Sequence, residues 1–349
     1  MQRLKWIDTA RGIGVILVVI GHISSINNGI GQWIYSFHMP LFFVISGILF
    51  SIKKEADKSF GVFVLSRVKG IIYPYLMISF LNIIYDLLLH GINHAVGYLI
   101  DTLTLNGILA LWFLPALFIA ELLLFCWIRI YRHHFIVALV FVIIALAITI
   151  LFSGTDFQKY DGIYYYLISL CNTLCRTLTG FVFLLIGYLS FKVYHQSQLR
   201  QRFQAKTRYL VICTISVLAL VISIILCRFN NVLLSNSIIG NPILFYINAL
   251  CGTFGVIGLS YIFGNYLKLI PFYGINSMII FSTHFNFGII SLARQIYRFE
   301  FIHGVVLFVI VMLIETVLAW AVSRYFSFIV SYKDLKNILC KIHVRKRSR

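Results

Sequence analysis

Long apolar runs separated by short polar clusters set the pattern of this chain. A helix needs roughly 20 apolar residues to cross a bilayer. Ten such runs can be read, at about residues 11–29, 33–52, 70–89, 109–130, 135–152, 172–191, 209–227, 242–263, 272–291 and 303–323. Asn27-Asn28-Gly29-Ile30-Gly31 supplies the turn chemistry for a tight first hairpin. The pattern predicts an all-α polytopic membrane protein of about ten transmembrane helices. The longest outside stretch runs from about His90 to Ile108, too short for a separate domain. Residues 1–332 therefore read as one membrane domain, and 333–349 as a basic cytoplasmic tail. Met1 to Trp6 imitates the start of a signal peptide, but no small-x-small cleavage site follows, so an uncleaved first span is expected.

Charge fixes the expected orientation. With the N-terminus in the cytoplasm, all of the 29 Lys and Arg fall in inside segments except Lys159, Arg176, Arg228, Arg294 and Arg298. That asymmetry is the positive-inside signature and puts both termini in the cytoplasm. The tail, mixing apolar and basic residues, suits the anionic lipids of the inner leaflet. Composition agrees: 60% of residues are hydrophobic, 11% are charged, and the mean hydropathy is +0.93. A soluble domain carries about 25% charged residues, so a soluble enzyme, a disordered regulator and a coiled coil are excluded. The net charge of +18 lies in loop clusters between spans, which excludes nucleic acid as the partner. The seven cysteines (Cys126, Cys171, Cys175, Cys213, Cys227, Cys251, Cys340) scatter through apolar segments without zinc-finger spacing, and no metal is expected.

Ionisable groups inside spans are costly unless paired or wetted, and so mark function. The candidates are Asp8, Arg11 and His22 in or near the first span, His38 in the second, Glu121 in the fourth, Arg176 in the sixth, His284 in the ninth and Glu315 in the tenth. Arg11 and His22 are separated by about 20° beyond three full helical turns, and by about 16 Å along the axis. They share one face, with Arg11 at the cytoplasmic boundary and His22 near or just beyond the midplane. His22, His38 and His284 fall at similar expected depth, which suggests a polar chamber open to the outside. Each residue also has a plainer reading: a histidine hydrogen-bonded to a neighbouring helix, a neutral buried acid, or, for Arg176, a side chain snorkelling to the interface.

A cation at the inner rim and an imidazole deeper on the same face suit a long, thin, anionic co-substrate such as coenzyme A. Its phosphates would stay at Arg11 and the basic inner loop with Arg67 and Lys69. An imidazole can take the proton of a sugar hydroxyl as that hydroxyl attacks a thioester, worth roughly 10²–10⁴-fold in rate. Ser46 and the backbone at Gly47 are candidates for the oxyanion.

The run Trp6-Ile7-Asp8-Thr9-Ala10-Arg11-Gly12-Ile13, the Arg11-to-His22 spacing and Phe37-His38-Met39-Pro40-Leu41-Phe42-Phe43-Val44-Ile45-Ser46-Gly47 resemble the acyltransferase-3 superfamily, nearest its fucose 4-O-acetylase-like branch. Leu111-Trp112-Phe113-Leu114-Pro115, Arg67 through Tyr73-Pro74-Tyr75 and Gly274 through His284 add to the likeness, which covers about residues 6–323. The resemblance implies acetyl transfer from cytoplasmic acetyl-CoA to a carbohydrate (a surface polysaccharide or its lipid-linked precursor) in a bacterial inner membrane. His22 is then the catalytic residue and Arg11 its motif partner, with no metal. Gly70 stands where some members carry a second arginine of the inner-loop motif, and an appended extracytoplasmic esterase-like domain, present in some relatives, is not expected. A glycan exporter without acyltransferase activity, and a transferase using succinyl-CoA or another short acyl donor, are the alternatives.

Overall fold

The first helix, α1, occupies Lys5–Ile23. Asp8 in its first turn complements the positive end of the helix dipole. It ends where the apolar run gives way to Ser24, whose N–H closes on the Ile20 carbonyl at 2.8 Å. The second helix, α2, is Gly29–Ile52, capped by Asn28 Oδ1, which accepts from the Gly31 N–H at 2.6 Å. A computed structural model describes residues 4–24, 28–153, 163–196, 205–296 and 303–347. Asn27 of the expected turn and the loop cations Arg3, Lys159, Arg200, Arg202, Arg298 and Arg349 lie outside the described residues.

The remaining helices are α3 Phe60–Arg67, α4 Tyr73–His90, α5 Ile92–Leu103, α6 Phe113–His133, α7 Phe135–Leu151, α8 Ile163–Gln196, α9 Ala205–Leu226, α10 Pro242–Phe263, α11 Ile270–Ile275, α12 Ser277–Thr283, α13 Ile289–Ile296, α14 His303–Tyr325 and α15 Tyr332–Arg347. Extended pairing among the described residues is an isolated bridge between Leu233 and Ile238. Among the described residues, eight helical segments are long and apolar enough to cross a membrane, and α7 is a shorter apolar helix of 17 residues. The protein is thus an all-α polytopic membrane protein.

One expected span is not a single helix. Residues 272–291 do not form a continuous helix; they are divided among α11, α12 and α13. Pro271 opens α11 and Asn276 ends it, its side chain donating to the Phe272 carbonyl at 2.9 Å. Gly288, at φ +67°, then takes a left-handed turn that a side-chain-bearing residue adopts with strain. Apolarity alone registered a run of the right length; it carried no information about these interruptions.

The chain forms two compact units, Met1–Lys58 with Ile119–Ser277, and Ser59–Phe118 with Met278–Arg349. In the first unit, α2 is the central element: 78% of its apolar window is buried, against 17% for the window Thr207–Phe229 around α9. The outward face of α9, with Leu210, Ile215, Leu218 and Ile225 exposed, suits hydrocarbon. Close helix contacts are made by glycine. A Cβ at Gly47 would meet the Leu184 carbonyl, and one at Gly187 the Val44 carbonyl, so α2 and α8 touch backbone to backbone. This is the small-residue packing by which helices associate in lipid, where no hydrophobic drive separates helix from acyl chain.

In the second unit, Tyr75 is fully buried and its hydroxyl donates to the Thr102 carbonyl at 2.9 Å, tying α4 to the end of α5. Tyr73 donates to the Phe328 carbonyl at 2.6 Å, docking the segment that leads into α15. Between α3 and α4 the chain makes a wide π-helical turn over Val68–Ile72.

Candidate active site

Helix α1 is unbroken from Arg11 to His22, so the helical arithmetic holds and both groups sit on one face about 16 Å apart. Their place along the helix differs from expectation. The helix begins at Lys5 and stops at Ile23, about six residues earlier than the apolar run suggested. Arg11 is therefore in the second turn and His22 in the last one. Lys5 through Ala10 belong to the helix because Ile7, Asp8, Thr9 and Ala10 are buried there, with Trp6 half-buried beside them.

Asp8 is buried, and Arg11 and His22 are partly exposed. The glycines that flank Arg11 bring α11 close. A Cβ at Gly12 would meet the Ile270 carbonyl, and one at Gly274 would meet the Asp8 carbonyl. Three glycines within α1 (Gly12, Gly14, Gly21) each cost about 1 kcal/mol against alanine in helix propensity, and these close contacts offset that cost.

Helix α2 supplies the facing groups. His38 is buried, and its Nδ1 lies 2.7 Å from the Ile34 carbonyl. A carbonyl only accepts, so Nδ1 holds the proton and the lone pair of the neutral ring is on Nε2, the arrangement of a base. One turn before it, Tyr35 joins the two histidines. Its ring lies edge-on to His22 with centroids 6.3 Å apart, and edge-on to His38 at 5.2 Å and 90°. Tyr35 was missed in the sequence, although its spacing from His38 places both on one helical face. Pro40 sits two residues beyond His38 inside α2; it lacks an N–H and leaves the Ser36 carbonyl without its usual helical donor.

The other expected residues separate into structural settings. Ser46 is buried in α2 beside Gly47, whose small size is used for contact with α8. Glu121 is buried in α6. Arg176 does not snorkel: it is 3% exposed, and its guanidinium donates to Thr173 Oγ1 at 2.9 Å and the Ser235 carbonyl at 3.3 Å. Asn172 donates to the same carbonyl at 3.2 Å. The arginine stays inside because the connection over residues 227–241 folds back and offers it an acceptor, which no hydropathy reading contains.

His284 belongs to the second unit and is described there. It is fully buried, with Nδ1 2.8 Å from the Ile280 carbonyl, the same internal bond that orients His38. Its neighbour Thr283 donates to Glu315 Oε2 at 2.6 Å, linking α12 to α14. Asn286 donates to the Ile108 carbonyl at 3.1 Å. That bond holds a link with Leu105 at φ +59° and Leu109 at φ +48°, conformations that cost bulky residues on the order of 1–3 kcal/mol each. Arg67 stacks over the Phe63 ring at 5.2 Å, and Lys69, exposed within the π-helical turn, lies 5.2 Å over the Tyr332 ring.

No curated protein and no solved structure matches the chain. A family model described as an acyltransferase domain, that of the acyltransferase-3 family, matches residues 4–324, nearly the whole chain and including every candidate residue above. The protein belongs to the acyltransferase-3 family and is a multi-pass membrane acyltransferase.

Proposed function

We propose that the protein is a membrane O-acetyltransferase. It moves an acetyl group from cytoplasmic acetyl-CoA to a hydroxyl of a cell-surface or lipid-linked carbohydrate, in a bacterial inner membrane. The observation that carries this reading is the His22–Tyr35–His38 cluster at one end of the helix that also bears Arg11.

In this reading His22 takes the proton of the acceptor hydroxyl, and the resulting oxygen attacks the acetyl carbonyl carbon. The tetrahedral intermediate collapses with cleavage of the carbon–sulfur bond, and the imidazolium returns its proton to the departing thiolate. Arg11 draws the phosphates of coenzyme A to the far end of the helix face. A fixed proton position on His38 gives the cluster a second defined acceptor, at Nε2, for a sugar hydroxyl. Direct transfer uses the base once per acetyl group and needs no acyl-histidine.

The test compares glycan O-acetyl content, by NMR or mass spectrometry, in a deletion strain complemented with wild type, His22→Ala or His38→Gln. Loss of acetylation with His22→Ala, at unchanged membrane abundance, supports the reading; unchanged acetylation overturns it. The interruptions at residues 270–296 favour a second reading, a glycan exporter, because discontinuous helices line substrate paths in transporters. Export lost with acetyl content per sugar intact would identify that case. The mass of the added group separates acetyl from succinyl and other short acyl donors.

A further inference from the structure

We propose that Asp86, His90 and His94 form a binding site for a divalent transition-metal ion of the zinc type, independent of the acyl-transfer cluster. This departs from the expectation that the chain needs no metal. The three residues stand at positions i, i+4 and i+8. On one straight helix that spacing would leave the outer pair about 12 Å apart along the axis. The chain does not run straight: α4 ends at His90, Gly91 takes φ +86°, and α5 starts at Ile92. The corner turns His94 back, so that one ligand atom from each residue lies within 4.8 Å of the others.

The carboxylate divides itself between the two rings. Asp86 Oδ1 is 2.7 Å from His90 Nδ1, and Oδ2 is 2.6 Å from His94 Nδ1. Asp86 is 3% exposed at its side chain, whereas His90 and His94 are 57% and 54% exposed. A buried oxygen ligand therefore sits beneath two imidazoles that open to solvent, which gives an ion a path of entry. Metal–ligand bonds of about 2.0–2.2 Å in a tetrahedron require donor atoms roughly 3.4 Å apart. The exposed rings must retreat by about 0.7 Å and bind as neutral imidazoles with the proton on Nε2, so that Nδ1 offers its lone pair to the ion; a ring that starts as imidazolium releases one proton to solvent. Three protein ligands then leave one position for water. Two imidazoles with one carboxylate select zinc, cobalt, nickel or copper over magnesium and calcium, which take oxygen donors. Tyr98, whose ring lies 5.1 Å from that of His94, walls one side of the cluster. An ion here would staple the corner between α4 and α5.

The experiment titrates the metal-stripped, tag-free full-length protein in detergent with Co(II), read by its visible d–d absorption, and then displaces it with Zn(II). Binding of one ion per chain is expected. His94→Gln, at an exposed position that leaves folding intact, and Asp86→Asn should each weaken it by more than the roughly 10–100-fold seen for outer-shell changes. His133→Ala/His134→Ala, an exposed pair elsewhere, should bind as wild type. Zinc should raise the thermal midpoint of wild type and not of His94→Gln. Absence of stoichiometric binding in folded wild type, or equal affinity in His94→Gln, overturns the proposal.

Discussion

Replacing Tyr35 with alanine tests the arrangement on which the catalytic reading depends. The ring makes two edge-on contacts, at 6.3 Å to His22 and 5.2 Å to His38. Each aromatic pair of this kind contributes about 0.5–1.5 kcal/mol beyond area burial. Losing both removes about 1–3 kcal/mol of restraint on the two imidazoles. If that restraint is what holds His22 in its reacting position, the whole amount appears in the barrier, since about 1.4 kcal/mol is tenfold in rate. Acetyl transfer by Tyr35→Ala should therefore fall by roughly 5- to 150-fold. Tyr35→Phe retains both ring contacts and should stay within about 3-fold of wild type. The assay is transfer of labelled acetyl from acetyl-CoA to glycan in membrane vesicles, normalised to folded protein by gel filtration in detergent. Wild-type rates in Tyr35→Ala, or equal losses in Tyr35→Phe and Tyr35→Ala, would refute the idea that the ring positions the histidines.

Other outcomes follow from packing and buried polarity. Gly47→Val forces a branched side chain against the Leu184 carbonyl, and overpacking of this kind costs about 1–3 kcal/mol; a lowered melting temperature in detergent checks it. Thr283→Val leaves Glu315 Oε2, in a fully buried residue, without its 2.6 Å donor. That should destabilise the protein by about 1–3 kcal/mol, and Glu315→Gln should be milder because its amide still accepts from Thr283. Arg176→Met removes one of the two donors to the Ser235 carbonyl and leaves Asn172 as the other, so limited proteolysis should cut residues 230–240 sooner than in wild type. His22→Ala removes the proposed base and should lower acetyl transfer by about 10²–10⁴-fold, with a loss of stability no larger than the roughly 0.5–1.5 kcal/mol of its ring contact with Tyr35; full activity would move the base elsewhere.

Much of the architecture was legible because each apolar run in lipid must satisfy its backbone internally, and a helix does so with its own residues. The shared face of Arg11 and His22 was legible for the same reason: a helix converts spacing into direction without help from its neighbours. What was not legible shows the opposite dependence. The early start of α1 at Lys5 depends on burial of Ile7, Asp8, Thr9 and Ala10 against neighbouring elements, two of them polar and invisible to an apolar count. The burial of Arg176 depends on an acceptor at Ser235, 59 residues away. The Asp86, His90 and His94 spacing is visible in the chain, but its meaning rests on the bend at Gly91.

The sequence by itself determined a helical membrane protein, the rough places of its spans and the one-face relation of Arg11 to His22, because bilayer thickness and helical pitch are local constraints. Only the tertiary structure decided that Tyr35 couples His22 to His38, that residues 270–296 break into three short helices, and that an aspartate and two histidines meet at the α4–α5 corner. Those are meetings between turns and helices. They depend on where glycines let backbones approach and where a left-handed residue turns the chain, and the apolar pattern fixes neither.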